Sequence, residues 1–159
     1  IILYAYTKIR KERFILREYT EKDIKSLFFI QKDEEVNRFL PWSGKENGKS
    51  KWIIQRKICT KYIEAEGYCY ATEAGKAVIE QVRKDGLIFI TARHEKNNQI
   101  SVKVMKKLGI KYCYSYEEEW QPKNIIVIFR MYQLNFNENT NYVYKKYWNE
   151  SKNHSVEQF

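Results

Sequence analysis

Hydrophobic and polar positions alternate in some parts of the chain and recur at helical spacing in others. Residues 11–18 alternate and predict a strand, and residues 21–30 predict a helix with Thr20 as its N-cap. A short turn or second helix is predicted over residues 33–40, and it ends there because Pro41 disfavours the helical conformation in the residue before it. The N-terminal part is therefore expected to be a strand and a helix, followed by this short turn or helix.

The central part of the chain carries the clearest helical periodicity. A helix is predicted over residues 51–63, a short strand over residues 67–71, and a longer helix over residues 72–84 that stops at Asp85 and Gly86. In the longer helix the apolar side chains share one face and the charged side chains the other. This pattern is typical of a helix that packs on a core and exposes its other side to water.

Three strands and one helix are predicted after this helix. Residues 87–92 form an apolar run typical of a strand buried on both faces. Asn98 opens a helix that Gly109 ends at its C′ position. Strands over residues 111–116 and 125–136 follow, separated by a polar turn. The chain is predicted to be a single mixed α/β domain of about five strands and four helices.

The composition fits one soluble domain with a surplus of positive charge. Of the 159 residues, 43% are hydrophobic, so a core can form, and 29 lysines and arginines against 20 acidic residues give a formal net charge of +9. Such a charge suits a nucleic acid, an anionic membrane or a phosphorylated small ligand. Lysines outnumber arginines 21 to 8 and are scattered along the chain, which favours an ordinary solvated surface and disfavours nucleic acid as the partner.

Other classes of protein are disfavoured by particular residues. Cys59, Cys69 and Cys113 lack the spacing of metal ligands. The two histidines, His94 and His154, lie far apart, so no metal site is expected. No apolar run reaches the roughly 20 residues that cross a bilayer, and the first residues lack the pattern of a secretory signal. The expected protein is cytoplasmic, with reduced thiols and no membrane partner.

Three short motifs occur in a specific order. They are Tyr70-Ala71-Thr72-Glu73-Ala74, Asn98-Gln99-Ile100-Ser101 and Lys107-Leu108-Gly109-Ile110. Together with the opening strand and helix over residues 13–28, they resemble the GNAT N-acetyltransferase superfamily, and within it the branch of ribosomal-protein-alanine N-acetyltransferases. The resemblance spans most of residues 12–136. It implies a GNAT-like α/β domain over residues 1–136, followed by an aromatic and basic tail over residues 137–159.

The resemblance also implies where acetyl-CoA, the co-substrate, is bound. Ala71 and Thr72 would start the helix whose N-terminal N–H groups bind the pyrophosphate, since the helix dipole favours negative charge there. Asn98 and Ser101 would bind the pantetheine arm or brace the helix that holds it. The alternatives stay open that Thr72 and Asn98 act only as helix caps and that Ser101 packs within its own helix.

One part of the family's pattern is missing from the chain. Only eight residues separate the predicted helices over 51–63 and 72–84. The family places about three strands there, which need on the order of 25 residues. The resemblance therefore implies an internal deletion near residues 71–72 that shortens the central sheet and removes the phosphate loop and the catalytic strand. Met105 stands near the position of the superfamily's tyrosine acid, so no catalytic residue is predicted.

The expected activity is transfer of an acetyl group from acetyl-CoA to a primary amine of a peptide or small molecule. One alternative is an inactive remnant that forms a homodimer or other homo-oligomer through sheet edges left open by the deletion. Another is a basic module that binds nucleic acid through the tail, although an arm packed on the sheet is favoured for residues 142–148. The acidic residues 117–119 either attract a cationic amine or form a solvated turn.

Overall fold

The fold is a computed structural model, which describes residues 8–12, 14–17, 20–37, 69–121, 123–137 and 141–158. These residues fall into two compact units. The N-terminal unit contains the described residues up to 37 together with 121 and 123, and the C-terminal unit contains residues 69–120 and the described residues from 124 onward. The helix predicted over residues 51–63 and the end of the turn or helix predicted over residues 33–40 lie outside the described residues.

The N-terminal unit is a short hairpin followed by helices. Its elements are β1 (Ile9–Arg10), β2 (Ile15–Leu16), a 3-10 turn (Glu21–Asp23), α1 (Ile24–Lys32) and α2 (Glu34–Asn37). The backbone N–H and the hydroxyl of Thr20 donate to the Asp23 carboxylate at 2.8 and 2.9 Å. Two bonds from Arg17 to the same carboxylate hold the pKa of Asp23 well below its usual range. The helix predicted from residue 21 is confirmed, whereas the strand predicted over residues 11–18 is reduced to two residues.

The C-terminal unit is a four-stranded sheet with helices. Its elements are α3 (Cys69–Lys84), β3 (Phe89–Glu95), α4 (Gln99–Lys107), β4 (Lys111–Trp120), β5 (Ile125–Asn135), α5 (Lys146–Glu150) and β6 (His154–Ser155). The strands lie in the order β3-β5-β4-β6, and every neighbouring pair is antiparallel. The predicted mixed α/β class is confirmed by this arrangement.

Three predictions about this unit are wrong in detail. Residues 69–71, predicted as the end of a strand, form the first turn of α3, because the helical spacing of the apolar residues extends back to them. The side chains of residues 89–92 are half-buried, so this strand is not buried on both faces. The acidic residues 117–119 lie in β4 and not in a turn, because their backbones pair with residues 126–128 of β5.

One face of the sheet, the core face, carries a cluster of buried hydrophobic side chains. Met131 is fully buried and pairs in register with Tyr114, which is 2% exposed, and Phe129 pairs with Tyr116. The cluster also contains Trp120 and Val127, and Tyr147 and Trp148 of the tail pack against it. The prediction that the tail is an arm packed on the sheet is confirmed by this packing.

The opposite side of the sheet, the far face, is more polar. Strand alternation places Ser115, Arg130 and Tyr132 there, because each neighbours a core-face residue in its own strand. Ser115 pairs with Arg130 across β4 and β5, and Tyr132 pairs with Tyr112. Polar groups from two strands are therefore adjacent on this face. No helix among the residues that the structure describes is long and apolar enough to span a membrane.

Candidate functional site

The first turn of α3 contains two of the predicted site residues. The helix begins at Cys69, so Thr72 is its fourth residue and the interpretation of Thr72 as the N-cap is wrong. Ala71 is exposed, whereas Thr72 is 9% exposed. No acidic residue occupies this turn, and Arg83 and Lys84 lie in the last one. Such a helix start offers backbone N–H donors and a positive dipole end to an anion. This donor chemistry fits the pyrophosphate of acetyl-CoA.

The other two predicted site residues lie together at the start of α4. Asn98 is the N-cap, and its Oδ1 accepts a hydrogen bond from the Ser101 backbone N–H at 3.1 Å. The prediction that Asn98 caps this helix is confirmed by that bond. A side-chain amide also carries an NH₂ group, so Asn98 has donors in addition to the oxygen engaged in the cap. Those donors suit the carbonyl groups of a pantetheine arm.

A close contact joins α3 to α4. A Cβ atom added to Gly75 would lie 2.6 Å from Leu108 Cδ1, so the lack of a side chain lets Leu108 approach the α3 backbone. Thr72 lies one turn before Gly75, and Ser101 lies two turns before Leu108. The structure therefore packs the two helices directly on each other through residues that follow the predicted site residues in each helix.

Sequence reasoning missed an arginine on the core face. The Arg93 guanidinium lies 4.9 Å from the ring centroids of both Phe129 and Tyr147. It donates to the Tyr116 hydroxyl at 2.6 Å and to the Glu118 carboxylate. Burial raises the pKa of the Tyr116 phenol, so this hydroxyl stays protonated at neutral pH. The sequence signal for this cluster was a charged residue, Arg93, within the apolar pattern of β3. Its partners could not be predicted from that signal, because they lie at least 23 residues away.

The acidic residues of β4 are engaged with neighbouring groups. Glu118 is paired with Arg93, and the Glu117 carboxylate accepts a hydrogen bond from Asn153 Nδ2 at 2.7 Å. Glu119 is exposed. An incoming cationic amine would compete with these partners, so the geometry gives little support to residues 117–119 as an acceptor site. The residues that the structure describes also contain no cluster of three or more acidic, cysteine or histidine side chains that suits a metal ion.

A second polar cluster lies on the far face. The Glu157 carboxylate accepts hydrogen bonds from Arg130 Nη2 and from the Ser115 hydroxyl, both at 2.5 Å. Lys96 Nζ lies 3.4 Å from the same carboxylate. Its hydrogen bond with Arg130 lowers the pKa of Glu157 to about 2. A groove of about 370 Å³ opens beside this cluster, and none of the four predicted site residues lines it.

His94 is a buried titratable group near the end of β3. It is 5% exposed, and its Nδ1–H donates to the Glu95 carbonyl at 2.7 Å. Nε2 is buried without a hydrogen-bond partner. Its ring packs on Tyr132 at 5.1 Å between centroids, and His94 pairs in register with Arg130. Burial lowers the pKa of His94, so the neutral ring is the stable form in the fold.

The sequence and the fold resemble known acetyltransferases over different lengths of the chain. Residues 62–111 match the model of the GNAT acetyltransferase domain. The fold is similar to the crystal structure of the GNAT-family acetyltransferase from Bacillus anthracis, with a TM-score of 0.67 and 18% identity. That similarity covers 81% of this chain and 98% of that chain. No match was found among curated proteins. The chain therefore has the GNAT fold, and neither comparison distinguishes the ribosomal-protein-alanine branch.

Proposed function

We propose that this protein transfers an acetyl group from acetyl-CoA to a primary amine of a peptide or small molecule. The observation that carries the proposal is the match of residues 62–111 to the GNAT acetyltransferase domain. This segment contains α3, β3 and α4, and with them all four predicted site residues. The GNAT fold of the chain is consistent with the same activity. Membership of the ribosomal-protein-alanine branch is a finer proposal that rests on the three motifs and would make a peptide N-terminus the acceptor.

The proposed reaction needs a site that binds the pyrophosphate of acetyl-CoA and residues that position its thioester. The first turn of α3, with Ala71 and Thr72, binds the pyrophosphate through backbone N–H groups and the helix dipole. Asn98 donates to the pantetheine arm, and Ser101 braces the start of α4. The neutral amine attacks the thioester carbonyl and forms the carbon–nitrogen bond, the carbon–sulfur bond breaks, and the proton that the amine loses is balanced by protonation of the CoA thiolate.

Thermal unfolding with and without acetyl-CoA tests the cofactor site. A ligand present at 100 times its Kd that binds only the folded state stabilises it by about 2.7 kcal/mol, which gives a measurable rise in Tm. ATP at the same concentration controls for binding through charge alone. We expect acetyl-CoA to raise the Tm more than ATP does.

Two substitutions of Asn98 separate its role in ligand binding from its role as a cap. Asn98→Ser keeps an oxygen that accepts the Ser101 N–H but removes the amide donors, so the ligand-free Tm is expected to stay nearly unchanged. Asn98→Ala removes both functions and is expected to destabilise the protein by about 0.5–2 kcal/mol. Both variants are expected to lose most of the rise in Tm that acetyl-CoA causes.

The outcomes distinguish the proposed function from its alternatives. A full acetyl-CoA shift in Asn98→Ser would exclude Asn98 from the cofactor site. Equal shifts with acetyl-CoA and ATP in the wild-type chain would mean that the cofactor site is absent and that the protein is a remnant of the family. Size-exclusion chromatography over a range of concentrations then tests the homodimer, and salt-dependent binding of single-stranded DNA tests the nucleic-acid alternative.

A further inference from the structure

The C-terminal segment over residues 141–158, here called the strap, runs around the edge of β4 from one face of the sheet to the other. Its first part lies on the core face, where Tyr147 stacks on Tyr116 with 5.1 Å between ring centroids. The strand β6 then pairs with residues 115–116 of β4. Its last part reaches the far face through Glu157. The strap therefore holds β4 from both sides and along its edge.

The first part of the strap is attached by backbone groups as well as by rings. The Gln133 side chain donates to the Tyr142 carbonyl and accepts from the Tyr144 N–H, both at 2.8 Å. The Tyr114 hydroxyl donates to the Tyr144 carbonyl at 2.8 Å. Buried polar side chains of the sheet thus satisfy the backbone of the strap. These contacts fix the strap where it enters the core face.

The end of the strap is attached mainly through one carboxylate. Arg130 Nη2 and Nε lie 2.5 Å and 3.4 Å from the two oxygens of Glu157, which is the side-on arrangement of an arginine and a carboxylate. Ser115 donates to the same group, and Lys96 lies within ion-pair distance. The backbone N–H of Glu157 donates to the Tyr112 hydroxyl at 3.0 Å. One anion is therefore recognised by two cations and a hydroxyl.

The recognising groups belong to the sheet and not to the strap. Ser115 and Arg130 pair in register across β4 and β5, so strand pairing that does not involve the strap fixes the backbone of both. Lys96 follows β3 directly and is fixed through its backbone, whose N–H donates to the Ile128 carbonyl at 2.8 Å. The donors are thus positioned before the carboxylate arrives, which is the usual condition for a specific site.

We propose that Arg130, Ser115 and Lys96 form a carboxylate-binding site that the protein fills with its own Glu157, and that this occupancy keeps the strap closed around β4. A small carboxylate takes the same place when Glu157 is removed or released. The planar shape of a carboxylate matches the arginine fork, whereas a halide ion does not. This site is separate from the residues proposed to bind acetyl-CoA, and the proposal does not depend on acetyl transfer.

Hydrogen exchange of the Glu117 amide measures whether the strap is closed. This N–H donates to the Asn153 carbonyl of the strap at 3.0 Å, so it exchanges when the strap opens. In the full-length Glu157→Ala variant, exchange at Glu117 is expected to be roughly tenfold faster or more, because a charge-assisted hydrogen bond is lost. Sodium acetate at pH 7 is expected to slow the exchange again with a saturable dependence, whereas sodium chloride at the same concentration is not.

A matched variant controls for charge. Glu150→Ala removes the same charge from an exposed position in α5 of the strap. It is expected to leave exchange at Glu117 unchanged and to give no acetate response. Unchanged exchange in Glu157→Ala, or equal effects of acetate and chloride, would overturn the proposal.

A measurement on the wild-type chain keeps the proposal testable if Glu157→Ala does not fold. The Glu157 carboxyl is followed by NMR during an acid titration. A midpoint near 2 supports an occupied cationic site, and a midpoint near the ordinary value of about 4.5 overturns it.

Discussion

The two parts of the C-terminal unit are stabilised by contacts of different range. In the segment from α3 to α4 each helix is defined by residues within or beside it, such as the Asn98 cap and the glycines that end the helices. In the sheet formed by β4, β5 and the strap, the important partners lie far apart in sequence. Arg130 and Glu157 are separated by 27 residues, and Ser115 and Glu157 by 42.

Because of this difference, the two parts are expected to respond differently to substitution. A cap residue or a glycine at positive φ affects one helix end and contributes about 1 kcal/mol to the free energy of unfolding. A buried side chain in the sheet contacts several elements at once, so its loss also leaves a cavity. Substitutions in the sheet are therefore expected to be the more costly.

The largest effect is expected at the centre of the core face. Met131→Ala removes a fully buried side chain from the cluster formed by β4, β5 and the strap. We expect it to lower the free energy of unfolding by about 2–5 kcal/mol. Urea denaturation measures the change. Ile126→Ala in the same strand is the control, since Ile126 is 69% exposed and its loss is expected to cost less than about 0.5 kcal/mol. Similar losses in both variants would contradict the assigned core.

A smaller effect is expected at the end of α4. Gly109 has φ +70°, and the N–H groups of Gly109 and Ile110 donate to the carbonyls of Lys106 and Met105 at 3.1 Å. This is the Schellman arrangement, in which a side chain at the glycine position is strained. Gly109→Ala is expected to lower the free energy of unfolding by about 1 kcal/mol.

The control for this substitution uses a residue that tolerates the same backbone conformation. Gly109→Asn is expected to cost less than Gly109→Ala, because asparagine adopts positive φ more readily than alanine does. Urea denaturation of both variants gives the comparison. A cost of Gly109→Asn equal to or above that of Gly109→Ala would mean that the backbone conformation is not what limits this site.

The difference between short-range and long-range contacts also explains which features could be predicted from the sequence. The C-terminal ends of α3 and α4 and the cap at Asn98 were predicted correctly, because each depends on a residue type at a fixed offset from a helix, whereas the start of α3 was predicted three residues too late. The extension of β4 through Trp120 was not, since acidic residues are poor strand formers and only their pairing with β5 overrides that preference.

The candidate site was predictable only in part for the same reason. The motifs predicted Ala71, Thr72, Asn98 and Ser101 as site residues; these lie within the segment that matches the acetyltransferase model, and their roles stay a prediction. Arg130 was not identified, because one cation within an apolar strand does not reveal its partner. Glu157 lies in a polar tail whose path depends on aromatic packing against the core face. No fixed spacing in the sequence relates Arg130 to Glu157.

The smallest expected effect is on the pH dependence of the free energy of unfolding, which also distinguishes the two parts of the unit. Burial lowers the pKa of His94 below the ordinary value of 6.5, so the unfolded chain binds this proton more readily than the folded chain. The free energy of unfolding should therefore fall as the pH drops below about 6.5, while at neutral pH the histidine contributes little. Arg130, Glu95 and Tyr132 are the titratable or charged groups facing this ring, and Arg130 adds to the lowering.

Glu157 and Asp23 act in a lower range of pH. Their pKa values are depressed in the folded chain, so their contribution is present above the ordinary carboxyl range and is lost as the pH falls through the folded values. For Glu157 this range extends from about 4.5 down to about 2. The contributions of the His94 ring and the Glu157 carboxylate therefore begin to fall at different pH values, below about 6.5 and below about 4.5.

His94→Leu tests this separation, because it fills the site with an apolar side chain and removes the Nε2 atom that lacks a partner. In this variant we expect the fall in the free energy of unfolding that begins below about pH 6.5 to be lost and the fall below about pH 4.5 to remain. Urea denaturation at a series of pH values measures both ranges. His154→Gln, which replaces the other histidine at an exposed position, is the matched control variant. If His94→Leu retained the wild-type slope just below pH 6.5, the neutral buried histidine would not be its source.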